Sequence, residues 1–226
     1  MAQRAMLFVV SGPSGSGKTT LVEHLLANFP ETIFSVSYTT RAPRTGDQDG
    51  RDYHFVSHAE FEAMVQQGEF LEHARVFDDY YGTHRRYLDQ ARSDGKDLIL
   101  DIDVQGAAQV RARQNDGVFV FVLPPSWEEL RRRLQARGSD TSGVIERRLE
   151  IARREIQHID IYDYVVINID RAQACGEVEA IARAELEAHG GCVADAAAQA
   201  LAAQCRKAAQ WGRVSVILES FGVARR

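Results

Sequence analysis

Gly12-Pro13-Ser14-Gly15-Ser16-Gly17-Lys18-Thr19 satisfies G-x-x-x-x-G-K-[ST] at every fixed position. The run before it, Met6 to Val10, is apolar and reads as a strand. The stretch after it, Thr19 to Phe29, has the apolar spacing of an amphipathic helix. Strand, glycine-rich loop and helix in this order give the pattern a mechanism. Glycines let successive N–H groups turn toward one point and form a nest for anionic oxygens. The helix behind contributes the positive end of its dipole. Lys18 is expected to reach the terminal phosphates of a nucleoside triphosphate, and the Thr19 hydroxyl to hold Mg²⁺. The plain alternative, a strand-to-helix turn with no ligand, leaves the lysine and the hydroxyl unexplained.

Composition narrows what surrounds this loop. The chain has 226 residues, 45% of them hydrophobic and 26% charged, enough for one sizeable α/β core with inserted subdomains. No apolar stretch approaches the length of a membrane span. Met1-Ala2-Gln3-Arg4 leads straight into the first strand, so no signal peptide is expected. A net charge of −5 argues against extended nucleic acid as a partner. Cys175, Cys192 and Cys205 are scattered, with neither metal spacing nor the pairing of a disulfide framework. A cytoplasmic location is expected.

Apolar runs at Asp97–Asp101, Val118–Leu123 and Tyr164–Ile167 read as further buried strands. Helical patterns cover roughly Gln105–Arg113, Trp127–Arg137, Val144–Ile159 and Gln173–Ala188. The alternation predicts a parallel sheet covered by helices on both faces, with ligands beyond the carboxyl ends of its strands. From Phe34 to about Arg86 the rhythm breaks. Phe34–Ser37 and Asp52–Val56 alternate in the β manner, and Ser57–Gln67 reads as a short helix. That length is too great for a loop in a compact core, so an inserted small β subdomain is expected. Gly138–Gly143, between two arginine-rich helices, reads as a hairpin tip or lid.

The insert carries chemistry of its own. Arg41 and Arg44 lie three apart beside hydroxyls, and Tyr53 and Tyr81 stand near glycines. A guanidinium fork with phenol donors suits a phosphate monoester. The plain alternative is a solvated basic loop. Asp101 and Asp103, two apart at the end of a strand, point to the same side of an extended segment. Asp103 could equally cap the helix that follows.

The string Ser37-Tyr38-Thr39-Thr40-Arg41-Ala42-Pro43-Arg44 is followed in order by Gly50-Arg51-Asp52-Tyr53-His54-Phe55-Val56 and Glu69-Phe70-Leu71-Glu72-His73-Ala74. Tyr80-Tyr81-Gly82-Thr83 and Leu100-Asp101-Ile102-Asp103-Val104-Gln105-Gly106 complete the series. Together these segments resemble guanylate kinase, from the phosphate loop to about His189. The resemblance implies a P-loop core, a mixed-β GMP-binding insert and a helical lid. It also implies Mg²⁺-dependent transfer of the γ-phosphoryl of ATP to GMP or dGMP. The implied divisions are a kinase-like domain over 4–189 and a tail over 190–226. Within the former, core segments are 4–33, 95–125 and 156–189, the insert is 34–94 and the lid 126–155.

Roles carry over position by position. The resemblance assigns Ser37, Glu72 and Thr83 to the guanine base. A carboxylate accepts from both N1–H and the N2 amine of guanine, whereas adenine presents a lone pair at N1. Arg41, Arg44, Tyr53 and Tyr81 match the GMP-phosphate binders. Asp101 falls near the phosphates and the Mg²⁺ water shell, and Asp103 near the GMP nucleoside. Gly12 to Thr19, with Arg133, Arg137 and Asn168, match ATP binders, and Asn168 is implied at the adenine end. Lys18, Arg41, Arg137, Arg148 and Asp101 are the implied catalytic set. Phosphoryl transfer needs alignment and positive charge rather than a covalent group. Exclusion of water predicts that insert and lid close on substrate.

Three rival readings fit the sequence less well. A kinase for another nucleoside monophosphate fits poorly with Glu72, Ser37 and Thr83. A non-catalytic guanylate-kinase-like binding module fits poorly with the retention of Lys18, Thr19, Arg41 and Arg44. The absence of an Asn-Lys-x-Asp motif argues against a GTPase. In the tail, Arg206, Lys207, Arg213, Arg225 and Arg226 against Asp195 and Glu219 leave +3, and −8 for the body. Val193, Ala197, Leu201, Ala208 and Trp211 recur at near-helical spacing, predicting an apolar stripe. An appended helix on the body, a dimer contact and a disordered end all remain open, with the protein a monomer or a homodimer. The tail carries no residue given a chemical role, so the reaction is expected to survive its removal.

Overall fold

The computed structural model describes residues 6–76, 78–114, 116–136, 141–189 and 195–223. The first elements are β1 (Leu7–Ser11), α1 (Lys18–Asn28), β2 (Ile33–Phe34), β3 (Tyr38–Thr39) and β4 (His54–Phe55). Next come α2 (His58–Gln66), β5 (Phe70–Val76), β6 (Asp79–His84), α3 (Arg86–Asp94) and β7 (Leu98–Asp101). Then follow α4 (Val104–Arg113), β8 (Val118–Leu123), α5 (Trp127–Ala136) and α6 (Ser142–Glu155), the last running into a 3₁₀ segment at Ile156–Ile161. The remainder is β9 (Tyr164–Ile167), α7 (Arg171–His189), α8 (Ala196–Cys205) and α9 (Lys207–Ser220).

Two sheets result, one of five strands in the order β2-β7-β1-β8-β9 and one of four in the order β4-β3-β6-β5. The first explains the apolar runs: β1, β8 and β9 are buried along their whole length, as strands covered on both faces must be. The α/β class and parallel sheet expected from the sequence are present, and a separate mixed sheet lies in the insert. Two compact units are distinguished, Met1–Val9 with Pro30–Gly117 and Val10–Phe29 with Val118–Arg226.

In the first unit, β3 pairs parallel with β4 and antiparallel with β6, which pairs antiparallel with β5. Tyr38, Phe61 and Phe70 form the small core beneath this sheet, with Phe61 stacked on Phe70 at 4.5 Å. Helix α2 starts with a reciprocal cap between Ser57 and Glu60, which explains its sharp N-terminus. The sequence reading of Phe34–Ser37 as one β segment of the insert is corrected. Ile33 and Phe34 pair with Leu98 and Ile99 of β7 in the five-stranded sheet, and the small sheet begins only at Tyr38. The hairpin β5–β6 and the helix α3 had not been foreseen. Their mixed polarity hid the period of each.

In the second unit, β8 and β9 pair in parallel from Val120↔Tyr164 to Leu123↔Ile167. Of the proposed hairpin tip Gly138–Gly143, Ser142 and Gly143 instead belong to α6, with Thr141 at its N-cap. Residues 138–140 lie outside the described residues. The tail is two helices broken at Arg206, whose backbone is extended (φ −53, ψ 135). That break resets the helical phase, so the stripe predicted from continuous spacing does not form. Ala197 and Ala208 are exposed and Leu201 and Trp211 half-buried, while Val193 lies outside the described residues. Ala198, Ala202, Cys205, Val214, Ile217, Leu218 and Phe221 are buried instead. The described part of the tail is therefore an ordered addition to its unit. Cys175 and Cys205 are free thiols, and Cys192 lies outside the described residues.

Candidate active site

Within the second unit, the loop Gly12–Thr19 leaves the buried strand β1 and enters α1 at Lys18. Gly17 is the N-cap and sits at φ 98, a left-handed conformation that favours glycine. A Cβ there would also lie 2.3 Å from Asn168 Nδ2. Asn168 is buried just past β9, and its Nδ2 donates to the Ser16 carbonyl at 2.7 Å. The Asn168 carbonyl in turn accepts from Arg133 Nη2 at 2.7 Å. Arg133 Nη1 reaches the Ser16 carbonyl at 3.5 Å, and its Nε bonds Glu129 at 2.7 Å. Paired with both Arg132 and Arg133, Glu129 is held well below the usual carboxylate range. Lys18 Nζ donates to the Gly12 carbonyl at 2.6 Å. Thr19 is exposed on the first turn of α1. Arg148 is half-buried on α6, and Arg137 lies outside the described residues. Asn168 thus meets the loop itself, through a bond the sequence did not suggest. The arrangement presents a helix N-terminus, a lysine and an arginine around one glycine-rich loop, which suits polyphosphate.

The first unit holds the other predicted residues. Glu72 lies on β5 directly opposite Thr83 on β6. The register slips between Phe70 and Glu72, so the strand bulges at Leu71 and re-aims the carboxylate. Glu72 is 3% exposed. Burial pushes its carboxyl up to about 7; hydrogen bonding by Thr83 opposes this, nearby Asp103 adds to it, and Arg113 also opposes it. Asp103 caps α4, accepting from Gly106 N at 2.7 Å, as the plain alternative anticipated. That bond engages one oxygen only, Oδ1.

Three residues that sequence reasoning missed support Glu72. Gly106 on the first turn of α4 makes room for it: a Cβ there would lie 2.3 Å from Glu72 Oε2. Arg113 Nη1 donates to the Leu71 carbonyl at the bulge at 2.6 Å. Gln109 donates to the His73 carbonyl at 2.7 Å. All three lie on α4 at positions 106, 109 and 113, a helical spacing that could have flagged one face turned toward β5.

Arg41 is half-buried after β3, with Nη2 on Asp47 at 2.9 Å and its guanidinium over the Tyr53 ring at 5.2 Å. Asp47 also accepts from Arg44 N at 2.9 Å, and that bond with the Arg41 pair holds its carboxyl below the usual range. The Arg44 side chain is exposed. Tyr53 packs edge-to-face on Tyr81 at 5.8 Å. Burial raises the Tyr53 phenol, as do Tyr81 and Asp101, so it stays a donor at neutral pH. Ser37 is half-buried before β3, its carbonyl accepting from His54 N at 2.9 Å. Asp101 ends β7. The structure brings Arg41, Tyr53 and Tyr81 into one cluster, and Glu72, Thr83 and Asp103 into another.

Comparison with known proteins agrees with this geometry. The family model described as guanylate kinase matches residues 4–185. The chain is 48% identical over 185 residues to a guanylate kinase of Geobacter metallireducens, covering 82% of this chain and 91% of that protein. It is 51% identical over 178 residues to one of Dechloromonas aromatica, covering 79% and 88%. A crystal structure of guanylate kinase from Anaplasma phagocytophilum superposes with a TM-score of 0.67 at 37% identity, covering 81% of this chain and 87% of that one. With the phosphate loop, the bulged strand and the arginine–tyrosine cluster all within the matched span, the chain belongs to the guanylate kinase family.

Proposed function

We propose that this protein transfers the γ-phosphoryl of ATP to GMP and dGMP, giving ADP and GDP or dGDP. The observation that carries the reading is Glu72, a deeply buried carboxylate aimed by a strand bulge and given room by Gly106. Ionised, it accepts from N1–H and the N2 amine of guanine, while Ser37 and Thr83 meet O6 and N7. Adenine offers neither donor, and unpaired buried groups discriminate by about 10⁴-fold or more. Arg41, Arg44, Tyr53 and Tyr81 hold the GMP phosphate, and Asp103 the nucleoside. The kinase-like domain is read as 4–189, with its insert at 34–94 and its lid at 126–155.

On the donor side the loop Gly12–Thr19 cradles the ATP phosphates, with Lys18 and Arg133 supplying charge. Asn168 fixes the loop from behind. Lys18, Arg41, Arg137 and Arg148 stabilise charge on the migrating group, and Asp101 completes the catalytic set through the Mg²⁺ water shell. The nucleophile is a phosphate oxygen already ionised at neutral pH, so no general base is required.

Among the described residues no cluster of three or more His, Cys, Asp or Glu could hold a metal by itself. That fits Mg²⁺, which keeps its waters and binds through one or two protein oxygens and substrate phosphates. The exposed Thr19 hydroxyl would hold it directly and Asp101 through water. Bound there, the ion neutralises developing charge on the phosphates. No described helix is long and apolar enough to cross a membrane. We place the reaction in the cytoplasm on small-molecule substrates, without nucleic acid, in a monomer or homodimer. The test is a coupled ADP-release assay with ATP and each nucleoside monophosphate. Turnover with GMP and dGMP far above AMP, CMP and UMP is expected, and equal turnover with AMP would overturn the reading.

A further inference from the structure

The family match ends at residue 185, yet the described tail continues to Val223 and is tied to its unit at both ends. At the break between α8 and α9, Lys207 N donates to the Asp163 carbonyl at 3.0 Å. Arg206 bonds Glu185 at 2.8 Å and lies over the Tyr164 ring at 4.3 Å. At the far end of α9, the Ser220 hydroxyl accepts from Trp127 N at 3.1 Å. Trp127 opens α5, and its N–H has no partner within its own helix. Ser220 therefore caps α5 from another segment of chain. Phe221 is wholly buried and meets the Trp127 ring edge-to-face at 5.4 Å. The Phe221 carbonyl accepts from Arg153 Nε on α6 at 2.6 Å, and the Arg153 guanidinium covers the Trp127 ring at 5.2 Å. One tail tip thus joins the start of α5 to the last turns of α6.

Those helices carry Arg133 and Arg148. Arg133 stands six residues, about 9 Å along the axis, from Trp127. Its guanidinium reaches the Ser16 and Asn168 carbonyls at the phosphate loop. We propose that the tail is a strap whose tip, Ser220 and Phe221, positions α5 and α6 so that Arg133 and Arg148 meet the ATP phosphates. The inference rests on the reading of those arginines as ATP-side residues, and it reverses the expectation that the tail is irrelevant to the reaction. Ser220 and Phe221 touch no substrate and are positioning residues.

Steady-state kinetics with ATP and GMP varied separately test this on Phe221→Ala, Phe221→Leu, Ser220→Ala and Arg133→Met. Displacing a positioned group by about 1 Å costs up to about 100-fold, so Phe221→Ala should raise KM for ATP about tenfold and leave KM for GMP within about twofold. Phe221→Leu, which refills the volume, should recover most of the ATP affinity. Val216→Ala, on the 58% exposed face of the same helix, should change neither constant. A merely structural role would lower the melting temperature and leave both KM values alone, and that result in a folded Phe221→Ala protein overturns the proposal. If Phe221→Ala does not fold, Ser220→Ala decides. It removes one hydroxyl and no core volume, and unchanged KM for ATP there overturns the proposal equally. Arg133→Met separates the two levels. A loss of ATP affinity in Arg133→Met with silent tail variants rejects the strap alone. An Arg133→Met enzyme with normal KM for ATP rejects the ATP-side reading beneath it.

Discussion

Replacing Gly106 by alanine sets two effects of opposite sign against each other. Gly106 is helical, and glycine there costs about 0.5–1 kcal/mol relative to alanine, so propensity alone predicts a more stable protein. The added Cβ, however, would stand 2.3 Å from Glu72 Oε2 and 2.8 Å from its Cδ, against the 3.0 Å that real Cβ contacts respect. The carboxylate must retreat by about 0.7 Å, and it is packed on all sides with 3% of its surface exposed. A charged hydrogen bond lost or bent is worth about 1.5–3 kcal/mol, more than the helical gain. At about 1.4 kcal/mol per decade, KM for GMP should rise about 10- to 100-fold. KM for ATP should stay within about twofold, because the loop that binds it is untouched. Initial rates at saturating ATP with GMP varied, alongside a thermal melt, give both numbers. A folded Gly106→Ala protein with the parent's KM for GMP would refute the close packing of glycine against Glu72 as the basis of base reading.

Three further outcomes are expected. Lys18→Ala should lose most turnover yet bind GMP almost normally by calorimetry; near-parental turnover would sink the phosphate-loop assignment. Glu72→Gln should cut GMP use by up to about 3 kcal/mol of transition-state binding. It should also change the pH dependence. A carboxyl raised from 4.5 to about 7 on folding binds more protons in the native state between those values, so the parent loses stability as pH rises through that window. The Gln variant should lack this slope in urea titrations from pH 4.5 to 7, and identical slopes would contradict the buried-acid account. GMP affinity of the parent should instead rise with pH toward 7, since the base meets the ionised form. Deleting residues 190–226 removes buried Phe221, Val214 and Leu218, and losing a buried Phe side chain alone costs about 3–5 kcal/mol. The truncated chain should melt about 6–20 °C lower, and an unchanged melt would mean the tail is not packed as described.

Much of this was legible in the sequence for identifiable reasons. The phosphate loop announced itself because its glycines, lysine and hydroxyl are fixed by contiguous backbone geometry. The strands β1, β8 and β9 were legible because burial on both faces leaves unbroken apolar runs. Glu72 was singled out by its neighbours in order, not by its own segment, where a bulge spoils the alternation that would mark a strand. Gly106, Gln109 and Arg113 went unread because their partners sit 34 to 42 residues away in the chain. The tail's apolar face was misread because one extended residue, Arg206, shifts the phase of everything after it.

The bonds that Ser16 and Gly12 accept bear on how the enzyme meets ATP. A peptide group whose carbonyl is anchored on one side has its N–H fixed on the other. Asn168 and Arg133 anchor the Ser16 carbonyl and so fix the Gly17 N–H, while Lys18 ties the Gly12 carbonyl, which precedes Pro13, back to the loop; all of these bonds lie within the chain itself. The conformational entropy of ordering the loop is thus lost during folding rather than at each encounter with substrate. Loosening Asn168 would return that entropic cost to the binding step. The loss would then appear as slower capture and weaker holding of ATP, with the chemical step itself little changed once the nucleotide is seated.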